Sequence, residues 1–178
     1  LEKNESIAIA VIQNDSIQFE EYWGIGSRNS RTNCFSVSKS IVSILIGIAI
    51  DEGYIESVDQ KIIDFLPELS RDGKNYNDEV TIKHLLTMSS GMKWKENYFN
   101  PLGPTAESYL TKKLEAFMLK TDFIDKPGET WKYLSANTQL LGMIIARASG
   151  KTLSEYTSEK LWIPMQATDD GEWMLDDK

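Results

Sequence analysis

Ser36 and Lys39 stand three residues apart in Phe35-Ser36-Val37-Ser38-Lys39, and an apolar run from Ile41 to Ile50 follows at once. Residues at this spacing share one face of a helix, so a hydroxyl and an amine placed this way can meet. A serine hydroxyl is a weak nucleophile at neutral pH unless a base stands beside it. The pair is therefore a candidate nucleophile and base for acyl transfer. Spacing alone is a weak signal, because 17 Ser and 15 Lys among 178 residues give about 1.4 chance matches to Ser-x-x-Lys. A second copy does exist, Ser90-Gly91-Met92-Lys93. There the glycine follows the serine directly and no apolar helical run comes after, so it reads as a turn. Context selects Ser36.

The elements that must position these residues are legible in outline. Ile7 to Ile12 and Ile17 to Trp23 are β-branched runs across the polar turn Asn14-Asp15, which makes a hairpin. Ser36 to Glu52 reads as a central helix closed by Gly53. Ile62 to Leu66, ahead of Pro67, is a short helix, and Thr81 to Met88 is another, with Thr81 as N-cap. Asn97 to Pro104 is a surface loop, and the periodicity of Leu110, Leu114, Phe117 and Met118 makes Thr105 to Lys120 helical. A turn at Lys126-Pro127-Gly128-Glu129 delivers Trp131-Lys132-Tyr133. A helix then runs from Thr138 to Gly150, and a last one from Leu153 to Leu161 stops before Pro164. The acidic tail from Asp169 to Asp177 reads as a solvated segment. Two strands against about six helices leave the sheet short, since a lone hairpin is marginal.

Composition narrows the function classes. The chain is 41% apolar and 26% charged, within the range of one globular unit spanning 1–178. A net charge of −8 and a pI near 4.8 disfavour nucleic acid and anionic membrane surfaces as partners. The longest apolar stretch, Ile41 to Ile50, is too short to span a bilayer. Cys34 is the only cysteine and His84 the only histidine, which argues against a zinc site. His84 sits on the apolar helical pattern of 81–86 and reads as structural. Gly150-Lys151-Thr152 is not a P-loop, because Ile145 stands where the first glycine is required.

Three further strings follow the Ser36 motif in order. They are Val80-Thr81-Ile82-Lys83-His84-Leu85-Leu86-Thr87-Met88-Ser89-Ser90-Gly91, then Lys126-Pro127-Gly128-Glu129, then Tyr133-Leu134-Ser135-Ala136-Asn137-Thr138-Gln139-Leu140-Leu141-Gly142. Together with Ser36-x-x-Lys39 they resemble the serine β-lactamase-related family, which includes class C β-lactamases, D-alanyl-D-alanine carboxypeptidases, esterases and 6-aminohexanoate-dimer hydrolases. Asp51-Glu52-Gly53-Tyr54-Ile55 and the 135–142 string are most similar to the last of these. The resemblance covers the chain from about Ile7 to its end. Glu-x-x-Leu-Asn, the class A deacylation pattern, is absent from the sequence, which points to the class C and esterase side.

The resemblance implies an α/β fold of the β-lactamase/transpeptidase type, with a helical subdomain over approximately 57–165 and a sheet represented here only by its N-terminal hairpin. It implies that Ser36 is acylated, that Lys39 assists its deprotonation, that Tyr133 relays a proton to the leaving group, and that Ser135 contacts substrate. Taken singly, Ser36 also fits an N-cap, Lys39 a solvated helix lysine and Tyr133 a core aromatic. Ser135 stands where many relatives carry asparagine, which shortens the reach from that position. The family's third motif, a Lys/His-Thr/Ser-Gly strand beside the site, has no counterpart in the chain. The expected activity is hydrolysis of a small amide or ester through a Ser36 acyl-enzyme, without metal or organic cofactor. A carboxylesterase, or a peptidase acting on D-amino-acid or cell-wall peptides, fits the same residues, and so does a non-catalytic binding or scaffold role. Completion of the site by a later segment or a second chain is expected, with little hydrolysis by residues 1–178 alone. Relatives of this type are mostly bacterial and often exported, so a periplasmic or secreted location is expected; no leader opens the sequence, which places any signal peptide outside it.

Overall fold

The computed structural model of the chain describes residues 5–176. It divides into two compact units, 1–35 and 36–178, where the composition suggests one. In the first unit, β1 (Ala8–Gln13) and β2 (Ser16–Tyr22) form an antiparallel hairpin. Asn14 and Asp15 both take positive φ, 50° and 58°, the turn geometry that matches strand twist and that these short polar residues tolerate. Gln18 is the extra residue where the register shifts, Val11 pairing with Phe19 and Ile12 with Ile17. After β2 the chain folds back on its own start. Trp23 N–H donates to the Ile7 carbonyl at 3.0 Å, and Gly26 lies so close that a Cβ there would meet the Ile7 oxygen at 1.9 Å. Ile12, Ile17 and Phe19 remain exposed, as expected of a hairpin without further strands.

The second unit is helical. A 3₁₀ turn, Phe35–Val37, leads into α1 (Ser38–Asp51), so Ser36 precedes the α-helix where a helix from Ser36 is the sequence expectation. Phe35 has φ 43°, a left-handed conformation costly for a bulky residue, and this kink sets the entry to the turn. Val42, Leu45, Ile46 and Ala49, spaced at three and four residues, are the buried stripe of α1. They pack with α5 (Ser135–Ser149), whose Ala136, Leu140, Leu141, Ile144 and Ile145 are buried in the same core. α5 begins three residues earlier than its apolar pattern suggests and ends at Gly150, φ 69°.

Between these helices lie α2 (Ile82–Leu86), α3 (Pro104–Leu110) and α4 (Leu114–Met118). The periodicity over 105–120 suggests a continuous helix, but the chain breaks at Thr111–Lys113. Thr111 accepts from Lys113 N–H through its hydroxyl at 3.1 Å, an alternative to helix continuation. Asp176 then accepts from Leu114 N–H at 2.6 Å at the start of α4, and Trp162 Nε1–H donates to the Asp169 carbonyl at 2.7 Å. The acidic tail is thus tethered at two points, rather than merely solvated. Ile62–Asp64 forms only a 3₁₀ turn, and α6 (Leu153–Thr157) runs on into a π-helical turn, Ser158–Trp162.

Buried polar groups tie the loops to this frame. Asn77, fully buried, donates to the Leu69 and Thr121 carbonyls at 2.7 and 3.2 Å and accepts from Phe123 N–H at 3.0 Å. Tyr156, also fully buried, donates to Glu52 at 3.0 Å and so joins α6 to the end of α1. Arg147 of α5 reaches Glu68, Glu115 and the Phe65 carbonyl at 2.7–3.1 Å. No helix among the described residues is long and apolar enough to cross a membrane.

Candidate active site

Ser36 and Lys39 leave the turn and the first turn of α1 on the same side, and Lys39 Nζ lies 3.0 Å from Ser36 Oγ. Tyr133 closes the group, its ring centroid 5.1 Å from Lys39 Nζ. Hydrogen bonding with Ser36 first, then hydrogen bonding and charge from Lys39, pull the Tyr133 phenol below its ordinary pKa of 10; burial and the Glu96 carboxylate push the other way. A hydroxyl, an amine and an acidified phenol therefore converge within hydrogen-bonding reach. Ser36 is exposed and Tyr133 is 40% exposed, so a substrate carbonyl can approach. Ser36 also stands at the N-terminal end of α1, where unpaired N–H groups favour developing negative charge.

Tyr133 has no helix of its own and is held by the 88–91 turn. Lys132 N–H donates to the Met88 carbonyl and Gly128 N–H to the Ser89 carbonyl, both at 2.8 Å. Gly91 accepts from Ile124 and Asp125 N–H and takes φ 74°; a Cβ there would meet the Asp125 carbonyl oxygen at 1.9 Å. Only glycine allows that approach. Ser90, the serine of the second Ser-x-x-Lys copy, is 1% exposed and donates to Asn137 Oδ1 at 2.7 Å. Its hydroxyl is consumed in joining the turn to α5.

His84 stands apart from the trio. Its Nδ1 accepts from Thr81 N–H at 3.1 Å and completes the capping box of α2, which places the ring proton on Nε2 in the neutral form. Burial, then the Lys83 charge, draw its pKa below the ordinary 6.5.

Ser135 opens α5, and its Oγ lies 3.2 Å from the Tyr98 hydroxyl. Glu96 and Tyr98 are the residues that sequence reasoning did not single out. Glu96 Oε2 accepts from Ser135 N–H at 3.1 Å, and Oε1 accepts from Tyr98 Oη–H at 2.6 Å. Their only sequence signal is a carboxylate and an aromatic at the edge of a polar loop. Beside Lys39, a groove of about 370 Å³ between α1, α2 and α5 is lined by Ser43, Ile44, Leu86, Met88 and Thr138, among others. Its wall mixes apolar side chains with the hydroxyls of Ser43 and Thr138. No cluster of His, Cys, Asp and Glu among the described residues is arranged to hold a metal ion.

Comparison with known proteins agrees with this architecture. The sequence matches the Beta-lactamase family over residues 2–172. It is 26% identical to the 6-aminohexanoate-dimer hydrolase of Paenarthrobacter ureafaciens across 99% of this chain and 46% of that protein. It is also 26% identical to the acyltransferase mokF of Monascus pilosus, across 75% of this chain and 36% of that one. A Bacillus anthracis structure named for 6-aminohexanoate-dimer hydrolase superposes with a TM-score of 0.76 at 20% identity, covering 90% of this chain and 45% of that one. The chain thus spans about half, or less, of the length of these relatives.

Proposed function

This chain belongs to the Beta-lactamase family, and on that premise we propose that it carries the reactive centre of a serine hydrolase acting on a small amide or ester through a Ser36 acyl-enzyme. The observation that carries the reading is the 3.0 Å approach of Lys39 Nζ to Ser36 Oγ under the Tyr133 ring. Ser36 Oγ attacks the substrate carbonyl as its proton passes to the Lys39 and Tyr133 pair. The tetrahedral oxyanion forms near the start of α1. Collapse breaks the carbonyl bond to the leaving amine or alcohol, which takes its proton from Tyr133, and leaves an ester on Ser36. Water, deprotonated by the same pair, then releases the acid and restores the serine. The 26% identity to a 6-aminohexanoate-dimer hydrolase over almost the whole chain supports an amide as one substrate. Ser135, at the start of α5 and two residues after Tyr133, is the residue of this reading that would contact the substrate.

The proposal extends to completion of the site. The sheet holds two strands among the described residues, and its apolar side chains are exposed, while relatives are about twice as long. Further strands, from additional sequence or a second chain, would supply a second oxyanion donor. Loss of one such donor costs about 10² to 10³ in kcat. Steady-state turnover of nitrophenyl esters and short linear amides tests the reading, measured for residues 1–178 and for a form extended by further strands. The extended form should turn over about 10²-fold faster or more, and Lys39→Ala or Tyr133→Phe should each lower its kcat by about 10² or more. Full activity in either variant would place the base elsewhere.

A further inference from the structure

Glu96 occupies a position that the reactive trio does not explain. Its two carboxylate oxygens are both engaged, one by the Ser135 N–H that opens α5 and one by the Tyr98 hydroxyl. The Tyr98 hydroxyl also lies 3.2 Å from Ser135 Oγ, which closes a three-residue ring around the start of α5. The loop bearing Glu96 is itself braced against α3. Thr105, 1% exposed in the first turn of that helix, donates to the Lys95 carbonyl at 3.1 Å and accepts from Asn97 N–H at 3.2 Å. A chain of direct contacts therefore runs from α3 through Lys95 and Asn97 to Glu96, and from Glu96 to Ser135, two residues from Tyr133.

We propose that Glu96, braced by Tyr98, is a positioning residue that fixes Tyr133 against Ser36 and Lys39. The inference rests on the reading of Ser36, Lys39 and Tyr133 as the reactive trio. A carboxylate at a helix N-terminus is favoured by both the free N–H and the helix dipole, so the anchor is a strong one. It also acts on charge. The groups that bear on the phenol are Ser36 and Lys39 from the start of α1 and Glu96 from the loop; Lys39 favours the phenolate and Glu96 opposes it. Glu96 thereby keeps Tyr133 protonated to a higher pH than Lys39 alone would permit, as a proton donor to a leaving group requires. Trp131, whose ring centroid is 6.4 Å from that of Tyr133, adds packing without charge.

The test uses two readouts on Glu96→Gln, Glu96→Ala and Tyr98→Phe. The first is the titration of Tyr133, followed by NMR of protein carrying ¹³Cζ-tyrosine, with the resonance assigned through Tyr133→Phe. Glu96→Gln keeps an acceptor for Ser135 N–H but removes the charge, so the Tyr133 midpoint should move to lower pH. The second is the rate of Ser36 labelling by a fluorophosphonate. Glu96→Ala should slow it by roughly 10-fold to 100-fold, as a small misplacement of a reacting group does. Glu96→Gln should recover most of that loss near neutral pH, and Tyr98→Phe should fall between the two. An unmoved Tyr133 midpoint in Glu96→Gln, or labelling in folded Glu96→Ala equal to the parent, would overturn the role. Labelling that persists in Ser36→Ala would instead overturn the underlying trio, and the NMR titration would still decide whether Glu96 sets the state of Tyr133.

Discussion

Ser90→Ala and Ser36→Ala exchange two serines of identical local motif, and the structure assigns them opposite consequences. Ser90 is 1% exposed and its hydroxyl donates at 2.7 Å to Oδ1 of Asn137, a residue with no exposure at all. Removing the donor leaves that oxygen without a hydrogen and without access to water, while Asn137 Nδ2 keeps only its 3.4 Å contact with Met88 Sδ. An orphaned buried acceptor costs about 1–3 kcal/mol. For a chain of this size each kcal/mol corresponds to about 2–4 °C in Tm, so Ser90→Ala should melt lower by roughly 2–12 °C. Ser36 is exposed, and its contact with Lys39 is of the kind that contributes little to folding. Ser36→Ala should stay within about 0.5 kcal/mol of the parent. Thermal melts followed by circular dichroism, at matched pH and salt, measure both. The reasoning fails if Ser90→Ala melts with the parent, or if Ser36→Ala proves the less stable of the two.

Three further outcomes follow from the same geometry. Asn77→Ala strands the Leu69 and Thr121 carbonyls and the Phe123 N–H together, so it should destabilise by about 3–5 kcal/mol and speed amide exchange at Phe123; a loss under about 1 kcal/mol contradicts the burial argument. His84 has its pKa lowered on folding, chiefly by burial, so the unfolded chain binds the proton more readily, and His84's contribution to stability is full above pH 6.5 and declines as pH falls through the folded-state pKa. Urea titrations of parent and His84→Gln between pH 5 and 8 should show that slope only in the parent. Gly91→Ala places a Cβ 1.9 Å from the Asp125 oxygen at φ 74°, so it should lower both Tm and Ser36 labelling by displacing the segment that leads from Asp125 to Tyr133; an unchanged Tm would mean the turn yields freely.

The grouping of Ser36, Lys39 and Tyr133 was legible in the sequence, because acyl transfer needs a few residue types at fixed spacing and the three come with flanking strings in order; the structure places them side by side. The positions of α1, α2 and α5 followed from apolar periodicity, since Val42, Leu45, Ile46 and Ala49 face one core. Their ends did not follow as well. Phe35 kinks the entry to α1 through a positive φ, and the Thr111 hydroxyl halts the helix that Leu110 and Leu114 suggested; both are side-chain or dihedral events invisible to periodicity. Leu110, one of the apolar positions in that periodicity, is exposed. Glu96 and Tyr98 were illegible for a different reason. They meet Ser135 across 37 to 39 residues, and a loop carboxylate has no local pattern that announces a distant helix end.

The central claim is that Ser36 is the nucleophile, and covalent capture tests it most directly. The protein is incubated with a fluorophosphonate, and the adduct is read by intact mass and located by peptide mapping. The account predicts a single adduct on Ser36, absent in Ser36→Ala, retained in Ser90→Ala, and formed at least about 10-fold more slowly in Lys39→Ala. An adduct on Ser90 or any other residue, or labelling undiminished in Ser36→Ala, would contradict it.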